Sequence, residues 1–505
     1  MKTKRNLAFI FPLFTFTFIF CGLILRNLKI SHLPFYDWDE SLYAQIAQEI
    51  LKNNSLVTTF NGHLWFDKPP LLHALVSTVF VFFGRSEFWT RSLIIVFAMT
   101  LLILLYFLSK QTLQALFKDG VSKMSLLTRQ AAYLLPVLIV ASSSLFIEKS
   151  LLLNTDIIVA LSWVGYFLFR ENFFMKLFFL LLGVFSKSVF GFYPLLIEAL
   201  TIQKSDLKQE NIFRLITLIL FSSTWYLFSY IKFGNYFIKA HFLDQIFKRV
   251  VVPIELHFGG KFYYFEFLWK NLGLILGLLL IGYLFLFADI LALFKKEKLA
   301  IGRAKIWWFY LILLSPLPFL IFITLVRTKL YWYLTMLIPL LALSASYLFV
   351  KAQRSVTRGI IFILIFAYFL LNFIPQTYTL KPKIEVSDKV LLAKCLSEKS
   401  GKTIAYLTDP QERKNQNFLE AAHYDTTASF FYGGSPSFVF YSQKKIEFFY
   451  NVDRFIKDYA EYDIVVLSRE SLTQDLEIQK SQDLQKKIIE SKNYCQTSEW
   501  LAFAK

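Results

Sequence analysis

Leu93-Ile94-Ile95-Val96-Phe97-Ala98-Met99-Thr100-Leu101-Leu102-Ile103-Leu104-Leu105-Tyr106-Phe107-Leu108 carries no charge over its whole length. With its flanks it reaches across a hydrocarbon core of about 30 Å as a helix. Its apolar residues are continuous rather than alternating, which argues for a helix and against a barrel strand. Residues 7–25 repeat the pattern, and 271–294 does so with a single acid, Asp289. The chain has 505 residues, 56% hydrophobic and 18% aromatic. Soluble domains hold roughly 45–50% apolar residues in shorter runs. A polytopic helical membrane protein follows.

Working outward, apolar runs lie near 7–25, 91–109, 131–147, 157–170, 174–186, 189–203, 212–232, 267–293, 306–325, 334–350 and 359–375. Residues 71–83 are too short for a comfortable span and end at Gly84-Arg85-Ser86-Glu87, so they read as a helix at the interface. The expected fold is an all-α polytopic domain of about 11–13 transmembrane helices over residues 1–375. Residues 376–505 are polar, with strand-like runs at 403–407, 437–441 and 463–467 and a helical pattern at 452–460. They read as a small C-terminal α/β domain.

Lysine and arginine fix the orientation. Lys2, Lys4 and Arg5 precede the first run, and Lys110, Lys118, Lys123 and Arg129 follow the second. Further basic loops hold Arg170 and Lys176; Lys204, Lys208 and Arg214; Lys295, Lys296, Lys298, Arg303 and Lys305; and Lys351, Arg354 and Arg358. By the positive-inside rule these loops and the N-terminus are cytoplasmic, and the C-terminal domain is extracytoplasmic. The net charge of +18 is thereby a topology signal, not a nucleic-acid footprint. The first run has no small-residue cleavage pattern, so an uncleaved helix in a cytoplasmic (inner) membrane is expected. Of three cysteines, Cys21 lies in that run and Cys395 and Cys495 in the polar region; their spacing suits no metal, and a disulfide between the last two stays open.

The same topology sends Asp39, Glu40, Asp67, Lys68, Asp156 and Lys187 to the far side, with His241, Asp244, Arg249, His257, Arg327 and Lys329. Ionisable groups near a bilayer are costly, so such one-sided clustering marks a functional site.

The loop 31–90 carries the most specific pattern. It reads Asp39-Glu40-Ser41-Leu42-Tyr43-Ala44, Phe60-Asn61-Gly62, Phe66-Asp67-Lys68-Pro69-Pro70-Leu71, then Phe83-Gly84-Arg85-Ser86-Glu87-Phe88 and Arg91. In that order the segments resemble the first external loop of GT-C-fold glycosyltransferases, the aminoarabinose lipid A transferase and protein O-mannosyltransferase-like group. Asn154-Thr155-Asp156, Ser186-Lys187-Ser188, residues 244–249 and 257–264, and Arg327-Thr328-Lys329-Leu330-Tyr331-Trp332-Tyr333 resemble later family segments, with Ser188 where glycine is usual. The resemblance implies a GT-C fold and an inverting hexosyl or pentosyl transferase. Its donor would be a polyprenyl-phosphate sugar such as an undecaprenyl one, and its acceptor a lipid, glycan or protein.

That chemistry suits the residues. A carboxylate stabilises an oxocarbenium-like transition state or takes a proton from an acceptor hydroxyl. Asp39 is the candidate, with Glu40 and Asp156 shaping the site. Cations stabilise the departing lipid phosphate; Lys68, Arg249, Lys329 and Lys187 are the candidates. The ordinary alternatives are a solvated acid pair and headgroup snorkelling by basic residues. In the family an acid at the position of Asp67 can join a later histidine in holding a divalent metal. Here Asp67 stands where glutamate is usual and His241 lies one helical turn before the matching position, Gln245, so the resemblance offers Asp67 and His241 as candidate ligands without implying a metal. No nucleotide cofactor is expected, since no Gly-rich phosphate loop adjoins a strand. Two other readings stand beside the enzyme: a lipid-linked-sugar transporter or flippase, and an inactive family member that binds the lipid carrier. Transporters usually place their sites near the midplane on broken helices, unlike this one-sided set.

Overall fold

The computed structural model describes residues 2–201, 209–253, 257–295, 303–379, 386–414, 435–490 and 494–504. Lys204, Lys208, Lys296 and Lys298 of the basic loops lie outside the described residues. The chain forms two compact units: residues 1–30, 88–232 and 248–382, and residues 31–87, 233–247 and 383–505.

The first unit is helical. Among the described residues the eleven apolar runs lie mainly in helices, consistent with a multi-pass membrane protein. By length and composition, seven helical segments among the described residues can cross a bilayer, or nine if two bent pairs each count as one span, fewer than the about 11–13 expected; one of the seven, Phe173–Thr201, folds back at Ser188. The second span runs Glu87–Leu116, as residues 93–108 require. Within Tyr331–Lys351, residues 333–350 are buried throughout and form the centre of the unit. Leu126–Ser142 and Ser144–Leu151 meet at a 71° bend. There the Ser143 hydroxyl accepts from Phe146 N and caps the second helix.

Three short helices shape one end of this unit. Asp156–Leu168 has 13 residues, about 20 Å, and is buried nearly throughout. Phe173–Lys187 follows, and the chain then enters a 3-10 turn, Ser188–Phe192, and the helix Tyr193–Thr201. This stretch reverses at Ser188, whose φ is +53°. A Cβ on Gly191 would lie 2.1 Å from Val184 N, whereas residues so spaced in one helix stand roughly 10 Å apart. Only glycine permits that approach. Lys176 pairs with Glu198 across the same reversal. The runs near 174–186 and 189–203 are therefore antiparallel arms of a hairpin.

The second unit is built on a sheet of order β4-β3-β5-β7-β6. These strands are β3 (Thr403–Leu407), β4 (Lys445–Phe449), β5 (Ile464–Ser468), β6 (Cys495–Gln496) and β7 (Trp500–Ala504). β3 runs parallel to β4 and β5, and β7 antiparallel to β5 and β6. Val465, Leu467, Phe449, Phe455, Ile478 and Leu484 form its core with the helix Val452–Asp458. A disulfide between Cys395 and Cys495 ties the helix Asp388–Ser397 to β6. Residues 31–87 add the helix Asp39–Asn53, a two-stranded turn of β1 (Thr59–Phe60) and β2 (His63–Leu64), and the helix Leu71–Phe83.

One expectation is corrected. Residues 437–441 form no strand but a helix, Pro436–Ser442, with Pro436 at its first turn. A short apolar run does not distinguish the two by periodicity. Here tertiary contacts decide: Phe440 packs edge-on to Phe35 at 5.4 Å, and Tyr441 Oη donates to Glu87 Oε1 at 2.6 Å.

Candidate functional site

In the second unit, the helix Asp39–Asn53 starts at Trp38, held at φ +67°, an uncommon conformation for a bulky residue. Asp39 is thus presented from the first helical turn with its side chain half-exposed. One turn later Tyr43 Oη donates to Asp39 Oδ1 at 3.1 Å. Lys68 Nζ donates to Tyr43 Oη, lies over that ring at 4.6 Å and stands 3.7 Å from Asp39 Oδ1. Pro69 and Pro70 follow Lys68 and stiffen its backbone. Asp39 and Lys68 are therefore brought together, with Tyr43 between them. The i, i+4 spacing of Asp39 and Tyr43 was the available signal for this bridge.

Beneath Tyr43 lie Trp65 and His73, edge-on to one another at 5.1 Å. Burial, and next the Lys68 charge, push the His73 imidazole down to about 3. It is a neutral floor to the Tyr43–Lys68 pair at physiological pH.

Glu40 is placed otherwise. It is buried, and its Oε2 accepts from Tyr36 N at 3.1 Å, while the Ser41 hydroxyl donates to Phe35 and Tyr36 carbonyls. Glu40 thus anchors the turn that presents Asp39. Glu49, a residue sequence reasoning passed over, is also buried and accepts from Asn61 N, Gly62 N, Thr59 Oγ1 and Gln45 Nε2, clamping the β1–β2 turn.

Asp67 is half-buried, and His241 is fully buried on a π-helix, Ile238–Phe247. His241 Nδ1 donates to Phe66 O at 2.6 Å, and its ring stacks on Phe237. The hydrogen bond fixes the tautomer. Among the described residues no group of three or more His, Cys, Asp or Glu side chains converges to hold a metal.

In the first unit, Asp156 opens its helix, where Asn154 Oδ1 accepts from Asp156 N and Ile157 N at 3.0 and 3.3 Å. Lys187, at the end of the antiparallel helix, donates to Asp156 Oδ1. Both side chains are buried. Lys187 also faces the rings of Phe190 and Tyr333 at 5.5 and 5.1 Å.

A second basic group rests on backbone pairing. Arg327 N donates to Val250 O, Thr328 N to Arg249 O and Lys329 N to His257 O. Arg249, His257, Arg327 and Lys329 are thereby gathered on adjoining strips of chain. Lys329 Nζ is buried and caps the carbonyls of Ile323 and Thr324. Burial, then the Arg327 charge, lowers its pKa below the ordinary lysine range. Gly259 must lack a side chain, since a Cβ would stand 2.5 Å from Tyr263 and 2.8 Å from Lys329.

No family model matches the chain. A protein of undefined function from Aquifex aeolicus (strain VF5) is 25% identical over 350 residues, 69% of this chain and 74% of that one. An undecaprenyl phosphate-alpha-4-amino-4-deoxy-L-arabinose arabinosyl transferase of Shewanella sediminis (strain HAW-EB3) is 37% identical over 92 residues. That match spans 18% of this chain and only 16% of the transferase. The crystal structure of ArnT from Cupriavidus metallidurans bound to undecaprenyl phosphate is similar with a TM-score of 0.64 at 12% identity, over 93% of this chain and 94% of that one. Its apo state gives 0.63 over 94% and 95%. The chain therefore has the GT-C fold of ArnT, the fold implied by the resemblance in residues 31–91.

Proposed function

We propose that this chain is an integral membrane glycosyltransferase moving a sugar from a polyprenyl-phosphate donor to a lipid, glycan or protein acceptor. The site would lie on the outer face of the cytoplasmic membrane. The observation that carries the reading is the half-exposed Asp39 carboxylate, aimed by Tyr43 and set beside Lys68. It is supported by the GT-C fold, shared with a protein crystallised on undecaprenyl phosphate.

In this reading the Asp39 carboxylate deprotonates the acceptor hydroxyl, or orients an acceptor already ionised, and offsets charge developing on the sugar. The acceptor oxygen forms a bond to the anomeric carbon as the bond to the lipid phosphate breaks, a single displacement that inverts the centre. Lys68 neutralises the departing phosphate. Arg249 and Lys329, in the first unit, are further candidates for contacts to a lipid phosphate. Lys187 spends its charge on Asp156 and holds that carboxylate in place. Glu40 secures the turn below Asp39.

The test is mass analysis of envelope glycolipids and glycoproteins from cells with and without the chain. A product heavier by one hexose, pentose or amino sugar, present only with the chain, is the expected result. Identical profiles, with the protein present in the membrane, would exclude transfer.

A further inference from the structure

A cavity of about 300 Å³ lies within the first unit at the open end of the hairpin. It is well removed from the Asp156–Lys187 pair. Tyr166 is about 15 Å along its helix from Asp156, and Lys176 about 16 Å along its own from Lys187. The cavity is therefore not part of the carboxylate site.

Its floor is polar and internally satisfied. Lys176 Nζ donates to Glu198 Oε1 and Oε2 at 2.6 and 2.8 Å, and Tyr166 Oη also donates to Glu198. Lys176 is buried, so this is a built polar floor rather than a passing surface pair. Two arginines stand on the walls. The Arg170 guanidinium stacks over the Trp307 ring at 4.0 Å, which fixes its plane. Arg214 comes from the helix Gln209–Ser222. Their carboxylate partners, Glu171 and Glu210, have side chains 79% and 71% exposed. Exposed pairs of this kind are weak, so a better anion displaces them.

The surroundings distinguish a lipid from a free anion. Phe167, Phe173, Leu215 and Leu218 also line it, with the polar Thr201 and Asn211. Phe213 and Ile216 flank Arg214 on the same helix and are exposed, as is Phe174 on the hairpin. In a chain with this many spans, such apolar faces meet acyl chains. An arginine fork set among them matches a phosphodiester at the head of a lipid tail, and basic pockets between transmembrane helices take such headgroups.

We infer that this cavity is a binding site for the phosphate headgroup of an anionic membrane phospholipid, gripped by Arg170 and Arg214 above the Lys176–Glu198 floor. The site is independent of the proposed transfer reaction. It fastens the hairpin to the helix Gln209–Ser222.

The test uses the full chain, purified and returned to phosphatidylcholine nanodiscs containing graded phosphatidylglycerol, with retained lipid counted by native mass spectrometry. One phosphatidylglycerol should be held saturably, and Arg170→Gln with Arg214→Gln should weaken it about tenfold. Glu171→Gln removes a competing carboxylate and should tighten binding, a gain that a folding defect would not produce. Equal retention in the double variant, equal retention of phosphatidylcholine, or loosened binding in Glu171→Gln would overturn the proposal. Displacement of the lipid by millimolar inorganic phosphate would reassign the cavity to a free anion and equally overturn it.

Discussion

The Asn61 carboxamide satisfies the backbone of Ile446 as a neighbouring strand would. Its Nδ2 donates to Ile446 O at 2.7 Å, and Ile446 N donates to Oδ1 at 3.2 Å. Ile446 lies on β4, an edge of the sheet whose outer groups would otherwise be open. Asn61 reaches it from a turn at φ +52°, a conformation asparagine tolerates better than most residues. Asn61→Gly keeps the backbone and removes both bonds, so it should lower stability by about 1–3 kcal/mol. Hydrogen exchange at Ile446 should accelerate with it. Unchanged exchange would mean that the edge is protected by something else.

Breaking the Asp156–Lys187 pair on one side leaves a buried charge. Lys187→Met should destabilise by about 3–5 kcal/mol, and adding Asp156→Asn should restore part of that loss. Thermal unfolding in detergent reads both. A double variant no better than the single one would argue against direct pairing.

The Cys395–Cys495 bond closes a loop across 100 residues of sequence separation. Replacing both cysteines by serine should cost about 2–5 kcal/mol. Non-reducing peptide mapping should recover the linked peptides from membranes, because such bonds persist in oxidising compartments. Both thiols found alkylatable without reduction would contradict the disulfide.

Glu412 supplies a pH test. Burial raises its pKa from the ordinary carboxylate range to about 7, outweighing the Lys389 charge beside it. The native state therefore binds more protons than the unfolded state between about 4.5 and 7. The sign follows: the contribution of this group is fully present below about 4.5 and is lost as pH rises through 7. Glu412→Gln should flatten the fall in melting temperature between pH 5 and 8. An undiminished fall would locate the titration elsewhere.

The spans were legible because an uncharged run such as residues 93–108 has one physical solution in a bilayer. The motifs in residues 31–90 also announced themselves, since Asp39 and Lys68 gain sense only when read together. Glu40 carries the same carboxylate as its neighbour Asp39 but turns inward to a backbone amide, a difference no sequence pattern records. The reversal at Ser188 rests on one residue's φ and on Gly191, and a run of apolar residues conceals both. Assembly of residues 31–87 and 233–247 with 383–505 depends on contacts such as Asn61 to Ile446, which leave no local periodicity. β4 and β7 escaped notice for a related reason: short strands in a mixed sheet carry little alternation of their own.

The most direct measurement compares the wild type with Asp39→Asn, reconstituted with a polyprenyl-phosphate sugar, scoring sugar transfer and donor binding separately. Removing a group that acts only as the bond is made should lower turnover by about a hundredfold or more and leave donor affinity nearly unchanged. Transfer at the wild-type rate by a folded Asp39→Asn protein would contradict the account.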